Sequence, residues 1–170
     1  ITEMPEVVTK HFLDSLLVVK VFDGIRTEAY SCIDVGTGAG FPGIPLKIAF
    51  PQLQIMLLDS LNKRVGFLNT VIQELGLTRI TAVHGRAEDF GRNKEYREQF
   101  DLCVSRAVAN LSTLSEYCLP FVKAGGEFLP YKSGKVEEEA REAESAVKKL
   151  GGSMRETKTL VLPGTDVDRT

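Results

Sequence analysis

The chain has 170 residues, enough for one layered core and too few for two full catalytic domains. Lys and Arg number 21 against 23 Asp and Glu, a formal net charge of −2, so no bulk positive field marks a polyanion-binding protein and any contact with nucleic acid has to be local. Cys32, Cys103 and Cys118 lack metal-ligand spacing and read as buried small side chains, and His11 and His84 complete no zinc motif with them. No secretory leader pattern and no 18-residue apolar run stand in the sequence. The expectation is a reduced, cytoplasmic protein without metal or membrane span.

The first pattern in chain order covers 5–19, where Val8, Phe12, Leu13, Leu16 and Leu17 recur at helical spacing and predict a helix packed on the domain. Strand-like runs follow at 31–35, 53–58, 80–83, 102–105 and 126–129, with a last one near 153–162. Between them, 62–75 puts Val65, Leu68, Ile72 and Leu75 on one helical face and ends at Gly76, a residue suited to a helix terminus. The helix over 136–150 carries Glu137, Glu138 and Glu139 in its first turn and Lys148 and Lys149 in its last, as the helix dipole favours. This acidic run reads as a solvated helix start. Strands alternating with helices predict an α/β fold with a mostly parallel sheet covered by helices on both faces. Residues 1–25 read as an N-terminal helical segment packed on a core domain over 26–170.

Ligands of such sheets bind beyond the carboxyl ends of the strands, near the switch in strand order. The first strand ends in Asp34-Val35-Gly36-Thr37-Gly38-Ala39-Gly40-Phe41-Pro42-Gly43, a turn whose missing side chains let the backbone lie against a ligand. The nested G-x-G-x-x-G also fits a dinucleotide. Asp34 at the strand end would welcome a cationic ammonium or sulfonium and repel a pyrophosphate, which favours S-adenosylmethionine. Asp59, closing the second strand, is placed to accept ribose hydroxyls, or to cap the following helix, or both. After the third strand, in Arg86-Ala87-Glu88-Asp89-Phe90, Ala87 leaves room for a flat base and one of the acidic residues can meet its amino group. After the fourth, the Arg106 fork faces the substrate side, where it can take a phosphate or a guanine edge. Lys132 beyond the fifth strand, with Lys63 and Arg64, completes a small basic cluster.

Taken together, His11-x-x-Asp14-Ser15-Leu16, the glycine-rich run through Leu46, Leu58-Asp59-Ser60-Leu61-x-Lys63-Arg64-Val65-x-Phe67-Leu68, Arg86-Ala87-Glu88-Asp89-Phe90 and Ser105-Arg106-Ala107 resemble the bacterial small-subunit ribosomal RNA guanine-N7 methyltransferases, historically the glucose-inhibited division protein B family. The resemblance extends over nearly the whole chain. It implies a Rossmann-like class I S-adenosylmethionine-dependent fold, with seven strands in the order 3-2-1-4-5-7-6, strand seven antiparallel, and methyl transfer to N7 of a guanosine in 16S ribosomal RNA. It places cofactor contacts at Gly36, Phe41, Ala87, Glu88 and Arg106 and a pocket-shaping role at 11–16. Members usually carry a helix before the His11 segment and a final apolar strand and basic tail after Asp166-x-x-Arg169, so a truncated domain is expected here.

The expected cofactor set is therefore Asp34, Gly36, Gly38, Gly40, Phe41, Asp59, Ala87, Glu88 and Arg106, with Arg106 and Lys132 placing the RNA. The partner is 16S ribosomal RNA or the small-subunit particle, met by a monomer. Guanine N7 offers an in-plane lone pair, so no general base is required, and the sequence presents no His-carboxylate or Cys-His pair to serve as one. The two competing readings are an NAD-dependent oxidoreductase and a non-catalytic RNA-binding module.

Overall fold

The structure is a computed structural model describing residues 3–106, 109–134 and 136–170. In chain order, α1 (Met4–Val7) runs into a π-helical stretch (Val8–Leu13), α2 (Asp14–Leu16) and two 3-10 turns (Leu17–Lys20 and Asp23–Arg26). There follow β1 (Ser31–Val35), α3 (Gly43–Ala49), β2 (Gln54–Asp59), α4 (Asn62–Glu74), β3 (Ile80–His84), α5 (Ala87–Phe90) and β4 (Phe100–Arg106). The chain continues through α6 (Leu111–Cys118), a 3-10 turn (Leu119–Phe121), β5 (Val122–Tyr131), α7 (Val136–Lys149), β6 (Leu160–Val161) and β7 (Asp168–Arg169).

The strands β3-β2-β1-β4-β5 form one sheet in that order, and every neighbouring pair is parallel. Successive side chains of β1 divide its two faces. Cys32 joins Leu57, Leu102, Val104, Ile44, Leu46 and Leu68 in one core layer, while Ile33 and Val35 join Leu58, Cys103, Leu114, Cys118 and Phe121 in the other. Burial on both faces explains why these strands read as continuous apolar runs. The strand order reverses at β1, so the loops after β1 and β4 diverge there and leave a crevice.

Three expectations need correction. The first concerns the N-terminal segment, which is helical from Met4 to Lys20 as expected, through contiguous α, π and 3-10 stretches, but turns a different face inward: Val8, Phe12 and Leu13 are exposed while Asp14, Ser15 and Val18 are buried. Helical periodicity finds the helix but misplaces its face, because polar Asp14 and Ser15 turn inward beside Leu16, Val18 and Val19. Ser15 Oγ donates to the His11 carbonyl, Tyr131 Oη donates to the Ser15 carbonyl, and the Asp14 carboxylate accepts from two arginines.

The second concerns the last strands. The run expected over 153–162 narrows to Leu160–Val161, which pairs antiparallel with β7 as a separate ribbon rather than extending the described five-stranded sheet. The third concerns Glu139. It is not solvated with its neighbours: its carboxylate accepts the Leu111 N–H at the start of α6 and the Lys132 ammonium at 2.7 Å. It thereby satisfies an N–H that the first turn of α6 leaves without an intrahelical partner.

Candidate active site

Two adjoining cavities open at the carboxyl ends of the strands and share Gly36, Asp59 and Ser60. The smaller, about 220 Å³, is walled by Leu58, Gly85, Ala87, Glu88 and Tyr117. The larger, about 510 Å³, lies under the glycine loop and is bounded by His11, Gly38, Phe41, Arg64 and Arg106. A flat base with its sugar and a short charged tail calls for two adjoining chambers of this kind, and the larger falls by itself in the range of ordinary ligand pockets.

The backbone of the loop is shaped for close approach. Gly38 has φ +61°, and a Cβ there would meet no protein atom within 4 Å, so its bare backbone borders open space in the larger cavity. The Gly38 N–H donates to Asp59 Oδ2 at 2.9 Å, and the Leu61 N–H donates to Asp59 Oδ1 at 2.9 Å. Asp59 thus joins the loop after β1 to the start of α4. A carboxylate has about four lone-pair positions; besides these two N–H bonds Oδ2 lies 3.5 Å from Arg64 Nη1, and Asp59 borders both cavities. Leu61 is the N-cap residue of α4, so Asp59 holds the turn before the helix rather than capping it.

Asp34 behaves differently from the expectation. Its carboxylate is fully buried beneath the loop, where Oδ2 accepts from Thr37 Oγ1 at 2.7 Å and from the Gly43 N–H at 2.8 Å. Its Oδ1 is buried without a partner, and Asp34 borders neither cavity. Burial pushes its carboxyl up to about 6, against the lowering effect of the Thr37 and Gly43 bonds. Direct contact between this carboxylate and a sulfonium or ammonium is therefore replaced by a structural role, which is to pin the loop from below. Gly40 is likewise turned inward, since a Cβ there would run into Ile44 and Leu68, and it belongs to neither cavity.

Arg106 sits at the rim of the larger cavity, but it is not a free cation. Its Nη1 donates to Asp14 Oδ2 at 2.9 Å, and its guanidinium carbon lies 5.3 Å from the centre of the Phe41 ring. Its Nη2 lies 3.2 Å from His11 Nδ1. Guanidinium can only donate, so His11 Nδ1 accepts and the ring proton resides on Nε2. Burial, reinforced by the Arg106 charge, lowers the His11 pKa and agrees with a neutral imidazole. His11 and Phe12 both pack on the Phe41 ring with centroids 5.2 Å apart. One wall of the cavity is thus a stack drawn from three remote parts of the chain. Ala107 of the Ser105-Arg106-Ala107 motif lies outside the described residues.

Lys132 is placed apart from both cavities. Its ammonium donates to the Ala109 carbonyl and pairs with Glu139, and its backbone exchanges hydrogen bonds with Thr170. It ties β5 to α7 and the terminal ribbon, which removes it from the expected set of RNA-placing residues. Glu88, by contrast, borders the smaller cavity. Hydrogen bonding from its own backbone N–H, then its 3.1 Å pair with Arg86, holds its carboxyl below the usual range. It is an anionic acceptor at neutral pH, beside the methyl of Ala87.

The structure therefore brings together Gly36, Gly38, Phe41, Asp59, Ala87, Glu88 and Arg106 and leaves out Asp34, Gly40 and Lys132. Sequence reasoning missed Tyr117 as a wall of the smaller cavity. No motif contains it; only its helix following β4 hinted that it would face the crevice.

A family model described as rRNA small subunit methyltransferase G, GidB, matches residues 1–165. The chain belongs to the GidB family. It is 58% identical over 170 residues to the "Ribosomal RNA small subunit methyltransferase G" of Lachnoclostridium phytofermentans, covering all of this chain and 69% of that protein. It is 50% identical to the protein of the same name from Limosilactobacillus reuteri, covering 99% of this chain and 70% of that one. Among solved structures, a SAM-dependent methyltransferase from Aquifex aeolicus superposes with a TM-score of 0.67 at 16% identity, over 97% of this chain and 90% of its own. M. jannaschii TYW2 in complex with AdoMet gives 0.68 at 15% identity, over 92% and 72% respectively. These likenesses show the class I methyltransferase fold. In this GidB chain the fold's crevice coincides with the two cavities, and the residues lining them fit the nucleoside and the charged tail of S-adenosylmethionine.

Proposed function

We propose that this GidB chain transfers a methyl group from S-adenosylmethionine to N7 of a guanosine in 16S ribosomal RNA, acting as a cytoplasmic monomer. The match of the family model across residues 1–165 carries the reading. When bound, S-adenosylmethionine supplies an electrophilic methyl group on a sulfonium. The chain's own work is placement. Glu88 accepts from the base amino group beside Ala87, Asp59 takes the sugar, and the backbone at Gly36 and Gly38 lets the charged tail lie close. Arg106, His11 and Phe41 form the wall on the substrate side, where they hold guanine in line and keep water away. Guanine N7 would attack with its own lone pair as the S–CH3 bond breaks, the positive charge passing to the guanine and the sulfur leaving as the neutral thioether S-adenosylhomocysteine, so no side chain has to remove a proton first.

With NAD as the competing cofactor, the distinction no longer rests on repulsion by Asp34, which is buried; it rests on family membership. Among the described residues no helix is long and apolar enough to cross a membrane, and no group of three His, Cys, Asp or Glu gathers to hold a metal ion. The test is mass mapping of 16S ribosomal RNA after incubation with the protein and S-adenosylmethionine. A single methyl on a guanosine at N7 is expected; methyl at another atom, or heat release with NAD and none with S-adenosylmethionine, overturns the proposal.

A further inference from the structure

Half of the basic cluster expected from the sequence is already committed inside the protein. Arg106 is paired with Asp14, and Lys132 with Glu139. The cations that remain at the rim stand on the first turn of α4, where Lys63 and Arg64 are exposed and Arg64 borders the larger cavity with only a long 3.5 Å contact to Asp59.

Two large apolar side chains flank these cations and point to water: Leu61 is 51% exposed and Phe67 is 53% exposed. Phe67 follows Lys63 by four residues and Arg64 by three, so its ring emerges between the two cations, one turn further on. Helical side chains lean toward the N-terminus of their helix, which carries the ring back toward the cavity rim. The comparable exposed group on the N-terminal segment, Met4, Val8 and Leu13, surrounds Lys10, whose ammonium is paired with Glu6 at 2.7 Å. The α4 surface combines an exposed aromatic ring with the charge of Lys63, which pairs with no carboxylate among the described residues.

We infer that the start of α4 is a docking surface for single-stranded RNA, on which Phe67 stacks an unpaired base next to the target guanosine while Lys63 meets a backbone phosphate. The inference rests on the function proposed above. Guanine N7 in an A-form helix faces a deep, narrow groove that side chains do not enter, so the target has to be unpaired or turned out. Its neighbours then lack stacking partners, and an exposed ring between two cations beside the cavity offers one.

The experiment compares the unaltered enzyme with Phe67→Ala, Phe67→Trp and Lys63→Ala on deproteinised, unmethylated 16S ribosomal RNA and on small-subunit particles. Phe67→Ala is expected to raise the KM for RNA about tenfold, within the range of one lost base stack, while the KM for S-adenosylmethionine stays put and Phe67→Trp restores the RNA value. Lys63→Ala is expected to reduce the salt dependence of RNA binding by about 0.7 in log–log slope, the contribution of one phosphate contact. An unchanged RNA KM in Phe67→Ala, with active unaltered enzyme, overturns this inference alone. Loss confined to assembled particles would assign the surface to a protein and also overturn it. No transfer to either substrate by the unaltered enzyme overturns the parent proposal as well.

Discussion

Asp14 and Arg106, 92 residues apart in the chain, meet at 2.9 Å at the rim of the larger cavity, and the same carboxylate takes Arg169 on its other oxygen at 2.7 Å. The Asp14 side chain is only 2% exposed, so the N-terminal segment, the end of β4 and the terminal ribbon are joined through one buried charge. Removing it strands two guanidinium groups. Asp14→Asn should cost about 3 kcal/mol, the low end for breaking a buried pair because both arginines retain some water. It should also weaken S-adenosylmethionine binding by freeing Arg106 and His11 from their places. Chemical denaturation and calorimetric titration below the unfolding transition separate the two effects; an unchanged dissociation constant would remove Asp14 as a support of the cavity wall.

Two glycines of the same loop should fail in different ways. Gly38→Ala puts a methyl into the open space of the larger cavity at a left-handed φ of +61°, so a cofactor dissociation constant about tenfold higher is expected, with a stability loss of roughly 1–2 kcal/mol. Gly43→Ala would press its methyl into Leu57 and Asp34, and overpacking of this kind costs about 1–3 kcal/mol of stability. Titration and urea midpoints on both variants check the contrast. Similar affinities would mean that Gly38 does not border the ligand.

Asp34 gives stability a specific pH dependence. Its folded pKa of about 6 lies above the ordinary 3.8, so the folded state holds this proton more tightly than the unfolded chain does. The stabilisation is full below about pH 4 and is lost as pH rises through about 6, by up to about 3 kcal/mol for a shift of this size. Asp34→Asn cannot ionise and should gain on the unaltered protein as pH rises from 4.5 to 7.5. Urea midpoints at the two values read this out, and parallel pH profiles for the two proteins would contradict it.

The Lys132–Glu139 pair predicts a structural phenotype rather than an RNA one. Glu139→Ala deprives the Leu111 N–H of its acceptor, while Asn110 still caps α6, and leaves Lys132 without its carboxylate, which should cost about 1–2 kcal/mol. Lys132→Ala should lower thermal stability and leave the salt slope of RNA binding unchanged. A flatter slope would return Lys132 to the RNA interface.

Much of the fold was legible because burial on both faces of a parallel sheet writes itself as apolar runs. The runs at 31–35 and 102–105 coincide with β1 and the centre of β4, and the helix over 62–75 ends within one residue of α4. The N-terminal helix was legible but its inward face was misread, because Asp14 turns inward to meet arginines distant in sequence. The lining of the cavities was legible where position at a strand end decides it, as for Gly36, Gly38, Asp59, Ala87 and Glu88. It was not legible for Asp34, Gly40 and Lys132, because the direction in which a side chain points follows from its neighbours in space.

The sequence by itself determined the alternation of strands and helices, the glycine-rich turn and the carboxylates at strand ends, since these follow from local periodicity and backbone freedom. Only the tertiary structure decided which charges are spent within the protein and which remain for a partner. Ion pairs such as Asp14–Arg106 and Lys132–Glu139 join elements that approach one another only when the sheet and its covering helices have assembled.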